Sequence, residues 1–229
     1  MSCILHIESA TDGCSVAVSE EGHLLFEKSD HVSRNNAVTL GVFVDEALSL
    51  VDSRGIRLDA VAVSEGPGSY TGLRVGVSMA KGICYARDLK LISVSTLKLL
   101  CVSTLLHEEL PDDVLLCPQI DARRMEVYSA IYSKSLDTVR EIRADIVDEN
   151  TYSDYLESHQ VYFLGNGSSK CKDIINHPNA HFIENIVPEA KWMFPLAERS
   201  FNEEKFCDVA YFEPYYLKDF IAAKPKKLI

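Results

Sequence analysis

The sequence lacks most features that mark membrane, secreted or metal-binding proteins. No apolar run approaches the ~18 residues of a membrane helix, and Glu8 ends the first apolar segment too early for a signal peptide. The cysteines include no Cys-x-x-Cys pair, and Pro178 separates His177 from His181, so neither residue type predicts a zinc site. We therefore expect a cytosolic protein that binds no metal and no membrane.

Basic residues are also scarce. Lys and Arg number 23 against 34 Asp and Glu, which gives a formal net charge of −11. Nucleic-acid-binding proteins gain most of their affinity from a basic surface, so we expect the chain alone to bind nucleic acid weakly. The clearest basic cluster is a C-terminal tail with Lys224, Lys226 and Lys227. The apolar content of 47% and charged content of 25% are typical of a folded globular protein.

Hydrophobic periodicity predicts two α/β lobes with the same order of elements. In each lobe a strand ends in an acid, Glu8 or Asp121, and a hairpin, a helix and a further strand follow. That further strand leads into a glycine-rich loop that opens another helix. Predicted helices cover residues 36–51, 71–87, 96–107, 151–158 and 169–175. We place the lobes at residues 1–110 and 111–213, with residues 214–229 rejoining the first.

The most unusual stretch is the glycine-rich loop of the first lobe, residues 66–72. It lacks the Gly-Lys-Ser/Thr ending of a phosphate-binding P-loop, and Thr71 stands where a dinucleotide fingerprint would have its third glycine. We interpret it as a tight turn in which Ser69 or Thr71 caps the following helix. Its backbone amides could alternatively receive an anion.

Helices 36–51 and 71–87 are apolar on more than one side, although a helix that covers a sheet needs a single apolar stripe. The second helix also carries a strip of small residues, Gly72, Gly76 and Ala80, at four-residue spacing. Such a strip predicts a close approach to another helix or to the chain's own sheet. A 110-residue lobe has little room for a third layer, so we favour a protein–protein interface.

Few residues have the pattern of a catalytic site. Ser69 lies on a sharp turn, but no histidine is placed by sequence to activate it. Glu8 and Asp121 could be paired acids facing a cleft between the lobes, or each could cap a turn. The pair Arg123 and Arg124 could bind an anion or form ion pairs with nearby carboxylates.

Several motifs, in order along the chain, resemble the TsaB (YeaZ) family. They are residues 4–11, the return strand 14–18, and residues 66–76 with the sequence GPGSYTGLRVG. The resemblance continues through residues 121–128, 165–167 and 214–218. It therefore covers nearly the whole chain, and the long glycine motif is its most specific part.

The resemblance implies an α/β fold of the actin-like, Hsp70-like (ASKHA) class, with two duplicated lobes and mixed sheets. It also implies a non-catalytic subunit without metal or cofactor. This subunit would activate TsaD, which modifies ANN-decoding tRNAs beside the anticodon with N6-threonylcarbamoyladenosine (t6A). TsaD would form a heterodimer with the chain, and the ATPase TsaE would join the larger complex. Without TsaD a second copy would take its place, and tRNA would bind mainly through the complex.

The resemblance places the partner interface on the two helices, over residues 38–51 and 72–83. The residues expected to line it are Val38, Gly41, Val42, Asp45, Gly72, Val75, Gly76, Met79, Ala80 and Ile83. The alternative is an enzyme with a nucleotide or hydrolytic, glycoprotease-like site in the interlobe cleft, using Glu8, Ser69 and Asp121. The segment Glu8-Ser9-Ala10, where relatives often have Asp-Thr-Ser, weakens the nucleotide alternative.

Overall fold

A computed structural model describes residues 2–31 and 36–218, which build two α/β lobes. The first lobe begins with β1 (Cys3–Glu8), β2 (Cys14–Glu20), β3 (His23–Asp30), α1 (Asn36–Ser53), β4 (Ala60–Gly66), α2 (Tyr70–Arg87), β5 (Lys90–Ser95) and α3 (Thr96–His107). The second lobe follows with β6 (Val114–Asp121), β7 (Glu126–Ser133), β8 (Thr138–Ile146), α4 (Ser153–Leu156), β9 (Gln160–Leu164) and β10 (Ala180–Ile183). The described chain then forms a 3-10 turn (Ala190–Trp192) and α5 (Phe194–Asn202).

The two sheets have the same topology. Their strand orders are β3-β2-β1-β4-β5 and β8-β7-β6-β9-β10. In each sheet the first strand pairs antiparallel with the second and parallel with the fourth. The predicted α/β class, with two duplicated lobes and mixed sheets, is therefore confirmed.

The sheet β3-β2-β1-β4-β5, here called sheet 1 (the other is sheet 2), is covered on both faces, and all six residues of its central strand β1 are buried. Leu5 and Ile7 belong to the cluster beneath α1 and α2. Ile4 belongs to a second cluster, on the opposite face, together with Met193 and Ala197. This alternation follows from the two-residue period of a strand, and it makes sheet 1 the middle layer of three.

Helix α3 lies between the two sheets and is buried along most of its length. Leu99 packs with the sheet 1 cluster, whereas Leu97 and Leu100 pack with Leu116 and Leu164 of sheet 2. A helix that is apolar around its circumference needs cover on every side. The lobes therefore share α3 as a common part of both cores. None of the helices in the described ranges has the length and apolar content needed to span a bilayer.

The chain returns to the first lobe earlier than the expected boundary at residue 214. The 3-10 turn contacts β1 and β2, and α5 contacts β5. Cys207 then bridges to Leu91 of β5, and the amide of Tyr215 donates to the Glu65 carbonyl at 2.7 Å. Residues 190–213 therefore belong with sheet 1: apolar side chains between 192 and 206 cover its inner face, and Cys207, Val209 and Phe212 pack with the cluster on its outer face. Residues 219–229, including the three lysines of the tail, lie outside the described residues.

The segment 169–175 is a series of turns and does not form the predicted helix. Three of its hydrogen bonds join residues three apart, such as Ser168 N to Gly165 O, and one, Ile175 N to Cys171 O, has α-helical spacing. Helices this short have little stability of their own, and Pro178 follows closely. Helix α4 is also shorter than predicted, and β10 and α5 were not predicted.

The strip of small residues on α2 faces the chain's own lobe. A Cβ added at Gly72 would meet the backbone carbonyl of Ser9, and one at Gly76 would meet the Ser9 hydroxyl. Ala80 is fully buried in the cluster beneath the helix. The expectation that Gly72, Gly76 and Ala80 line a partner interface is corrected: their small size lets α2 lie close to the end of β1.

By contrast, Gly82 is exposed, and a Cβ added there would have no atom within 4 Å. We predict that Gly72→Ala lowers the free energy of unfolding by about 1–3 kcal/mol, because the Ser9 carbonyl would have to move. Gly82→Ala should raise it by up to about 1 kcal/mol, since alanine favours the helix and meets no obstacle. Urea denaturation of both variants gives the two values. Equal effects of the two substitutions would contradict this assignment of the helix faces.

Candidate functional site

Helices α1 and α2 lie side by side on the outer face of sheet 1. Ser69 caps the start of α2 by accepting a hydrogen bond from the Gly72 amide at 3.3 Å, as the sequence predicted. Near their other ends, Arg87 donates to both carboxylate oxygens of Asp52 at 2.7 and 2.8 Å. A Cβ at Gly41 would lie 4.0 Å from Met79 Cε, so the two helices run in the same direction.

The outward side of this helix pair is apolar. Val38 and Val42, one turn apart on α1, are 61% and 50% exposed. Val75, Met79 and Ile83 follow at four-residue spacing on α2 and are half-buried. We name the helix-pair surface by its residues: Val38, Gly41, Val42, Asp45, Val75, Met79 and Ile83. These members of the predicted interface are exposed or half-buried, although Val75, Met79 and Ile83 also pack against the edge of the cluster beneath the helices.

A cleft of about 560 Å³ separates the two lobes. The β1–β2 hairpin and the start of α2 line it on the first lobe, and the β6–β7 hairpin lines it on the second. Residues 215–218 also line the cleft. The residues that line it are Ala10, Thr11, Asp12, Gly68, Ser69, Tyr70, Thr71, Ile120, Asp121, Ala122, Arg123, Tyr128, Asn166, Tyr215, Tyr216, Leu217 and Lys218. Ser69 and Asp121 thus reach the cleft, and Glu8 does not.

Glu8 lies inside the first lobe and is 1% exposed. Its carboxyl group accepts a hydrogen bond from the Ala10 amide at 2.6 Å and another from the Ser64 hydroxyl. Burial raises the pKa of Glu8 to about 8, although hydrogen bonds from the Ala10 and Ser9 amides counteract part of this rise. The group is therefore mostly protonated at neutral pH, where it holds the turn after β1.

The three predicted catalytic residues are not brought together. Ser69 is occupied as a helix cap, and Asp121 forms an ion pair with Lys170. No histidine or cysteine lines the cleft within the described part of the chain. The same described residues contain no cluster of three His, Cys, Asp or Glu side chains that could hold a metal ion.

Arg123 and Arg124 form the tip of the β6–β7 hairpin, and both are exposed. Neither forms an ion pair with any residue in the ranges 2–31 and 36–218, so the pairing with nearby carboxylates that the sequence allowed is not made. Asp121 and Glu126, the nearest carboxylates in sequence, are bound by Lys170 and Lys218 instead. The guanidinium groups are thus available to another molecule.

The sequence did not indicate the aromatic row beside the cleft. The rings of Tyr70 and Tyr216 lie 4.9 Å apart, and the Arg74 guanidinium lies 5.4 Å from the Tyr70 ring. Lys81 holds the segment that carries Tyr216 by donating to the carbonyls of Ala210 and Phe212 at 3.0 and 2.9 Å. Tyr215 and Tyr216 both line the cleft and are each more than a third exposed.

Comparisons with known proteins place these features in a family. A family model described as "TsaD: tRNA N6-adenosine threonylcarbamoyltransferase" matches residues 30–225. The tRNA threonylcarbamoyladenosine biosynthesis protein TsaB of Escherichia coli K12 is 28% identical, over 96% of each chain. The TsaB protein of Bacillus subtilis 168 is 30% identical, over 75% of this chain and 74% of the relative. The chain belongs to the TsaB family.

The fold agrees with that of solved TsaB-type structures. YeaZ from Pseudomonas aeruginosa superposes with a TM-score of 0.76 at 23% identity, covering 95% of this chain and 100% of the other.

The tRNA N6-adenosine threonylcarbamoyltransferase of Pediococcus pentosaceus is 36% identical over 110 residues, which are 41% of this chain and 32% of that enzyme. Similarity to this transferase is thus partial, whereas similarity to the Escherichia coli TsaB spans nearly the full chain.

Two buried groups on the same face of β1 predict how stability depends on pH. His6 has one ring nitrogen 2.7 Å from the Ser19 hydroxyl and the other without a partner, and burial lowers its pKa from 6.5 to about 3. As the pH falls below 6.5, the unfolded chain binds a proton that folded His6 excludes, so stability decreases. Above pH 4.5 the unfolded chain releases the proton that folded Glu8 keeps, so stability decreases as the pH rises to 8.

We predict that Glu8→Gln removes the decrease in the free energy of unfolding that Glu8 causes as the pH rises from 6.5 to 8. Between pH 6.5 and 8 the wild type should lose about 2 kcal/mol more of its free energy of unfolding than the variant, because one proton is released on unfolding. Urea denaturation at several pH values measures this difference. Parallel pH profiles for the two proteins would show that Glu8 is ionised in the folded state.

Proposed function

We propose that the chain is a non-catalytic subunit that binds TsaD and activates it for t6A modification of tRNA. Its family membership supports the pathway, since the relatives are named for tRNA threonylcarbamoyladenosine biosynthesis. The helix-pair surface supports the mode of action, because it offers a partner apolar side chains from two neighbouring helices. The role in tRNA modification places the protein in the cytoplasm.

The helix-pair surface has the composition of an interface core. Val38 and Val42 form one row, and Val75, Met79 and Ile83 form a parallel row on the neighbouring helix. Apolar rows that are rimmed by charged groups, here Asp45 and the Arg87–Asp52 pair, are typical of protein–protein contacts. A partner that covers both rows would remove this apolar area from water.

Gly82 adds a second argument for a partner at this surface. Glycine within a helix costs up to about 1 kcal/mol relative to alanine, and no contact within the described chain requires it. It lies on α2 next to Ile83, where the absence of a side chain leaves room for another backbone. A helix from a partner could therefore approach α2 closely at this point.

The family model that this chain matches is described as a tRNA N6-adenosine threonylcarbamoyltransferase. The Pediococcus pentosaceus enzyme of that name shares a stretch of 110 residues with the chain at 36% identity. We infer that TsaD presents a related lobe to the helix-pair surface. A second copy of this chain would present the same kind of lobe, so a homodimer would form when TsaD is absent. In the larger complex TsaE joins, and tRNA is bound mainly through the assembly.

We predict that Val42→Arg abolishes this association while the fold is retained. The arginine would place an unpaired charge in the contact and weaken TsaD binding by about 100-fold or more. Val139→Arg on β8 is the matched control, because Val139 is 48% exposed but lies in the other lobe. Titration calorimetry with TsaD and light scattering of the chain alone measure the two associations, and circular dichroism checks the fold.

The activating role is tested by reconstituting threonylcarbamoyl transfer to tRNA with TsaD. We expect the wild type and Val139→Arg to stimulate transfer and Val42→Arg to have no effect. Normal stimulation by folded Val42→Arg would overturn the interface assignment. Transfer by the chain in the absence of TsaD would overturn the non-catalytic role.

A further inference from the structure

The wall of the interlobe cleft on the first lobe combines a cation with aromatic rings. Arg74 donates to the Tyr70 hydroxyl at 3.3 Å and lies over its ring, and Tyr70 in turn packs against Tyr216 with a tilt of 40°. Tyr216 is 38% exposed. Rings and guanidinium groups in a row at a groove are the groups on which unpaired bases stack.

The opposite wall presents two cations at the tip of a tight hairpin. Arg123 and Arg124 have φ values of +69° and +49°, a conformation that non-glycine residues rarely adopt. Lys170 holds this tip by donating to the carbonyls of Arg124 and Glu126, both at 2.7 Å, and by pairing with Asp121. These contacts thus maintain the conformation of the hairpin tip, with both arginine side chains exposed.

Most of the acidic groups around the cleft do not cancel this positive charge. Asp121 is neutralised by Lys170, and Glu126 by Lys218. Asp12 is the remaining carboxylate among the lining residues. One guanidinium group, on Arg123, therefore lies in the cleft wall, and those of Arg74 and Arg124 belong to residues beside it, within a chain whose net charge is −11.

The geometry favours an extended ligand over a single nucleotide held by its phosphates. Two amides of the glycine-rich loop are already used: Ser69 N donates to Ala10 O at 2.7 Å, and Gly72 N donates to the Ser69 hydroxyl. They form no phosphate cradle of the P-loop kind. In addition, Arg74 and Arg124 do not line the cavity itself. A ligand that reaches all three arginines must therefore extend beyond the cleft.

We propose that these two walls bind a single-stranded stretch of RNA, with Arg123 and Arg124 on its phosphates and Tyr216 stacked on a base. The proposal rests on the proposed function, which supplies tRNA as the RNA. It assigns the chain a direct contact with the substrate, in addition to its contact with TsaD. The helix-pair surface stays free for TsaD because it lies on the outer side of α1 and α2.

The test uses the complex of the chain with TsaD and measures tRNA binding by fluorescence anisotropy at several salt concentrations. The double variant Arg123→Ala/Arg124→Ala should weaken binding about tenfold and reduce the slope of log affinity against log salt by about 1 to 2. The matched control is Arg57→Ala/Arg143→Ala, which removes two exposed arginines elsewhere and should leave the slope unchanged. Equal slopes for wild type and the cleft variant would overturn the proposal.

A second pair of variants tests stacking. Tyr216→Ala should weaken tRNA binding about fivefold to tenfold, whereas Tyr216→Phe should bind like the wild type because it keeps the aromatic face. Weakening by Tyr216→Phe to the same extent as Tyr216→Ala would contradict a stacking role. Both variants change an exposed side chain, and circular dichroism confirms that they fold.

Two further measurements separate this proposal from the proposed function. If the cleft variants bind TsaD normally but tRNA binding is unchanged, the RNA contact is wrong and the TsaD partnership stands. If the wild-type chain does not bind TsaD, the isolated chain is titrated with an anticodon stem-loop RNA; weak binding that the double variant loses supports the contact, and equal binding overturns it. ATP binding that the double variant loses, with RNA binding unchanged, would make the cleft a mononucleotide site and overturn the proposal.

Discussion

The burial of α3 between the two sheets is the constraint on which the arrangement of the molecule depends. Each sheet needs an apolar cover on its inner face, and the same helix supplies it to both, with Leu99 on one side and Leu97 and Leu100 on the other. A change in the angle between the lobes would expose part of one core. The packing of α3 therefore opposes a change in the separation of the cleft walls, and α1 and α2 are left on the outer face of sheet 1.

The sequence predicts the elements of this fold well, because their signals are local. Alternation identifies β1, and the apolar run after Ser95 gives α3 with the observed bounds, Thr96–His107. The return of the chain at Ala190 was missed, since α5 has Pro195 in its first turn and no strand precedes it to suggest an α/β unit. Which sheet such a segment covers depends on distant residues, and local periodicity carries no information about them.

The sequence could predict exposed apolar side chains on α1, such as Val42, because this helix has more apolar residues than one buried stripe needs. The candidate site was not predictable where it depends on distant neighbours. A row of glycines indicates a close approach but does not identify the group that approaches; for Gly72 that group is Ser9, 63 residues earlier. For Arg123 the sequence left two kinds of partner open, an anion or a nearby carboxylate. The nearby carboxylate Asp121 is paired with Lys170, which lies 49 residues further along the chain, and local sequence does not reveal that ion pair.

The duplication of the lobes does not extend to their outer helices. Sheet 1 carries the 18-residue helices α1 and α2, whereas the corresponding face of sheet 2 is covered by the four-residue α4 and the turns at 166–174. Within the described chain, the long helices that build the proposed interface thus occur on one lobe alone. If a subunit associates through that one surface, association ends with a pair. Higher concentration would then fill pairs without growing filaments.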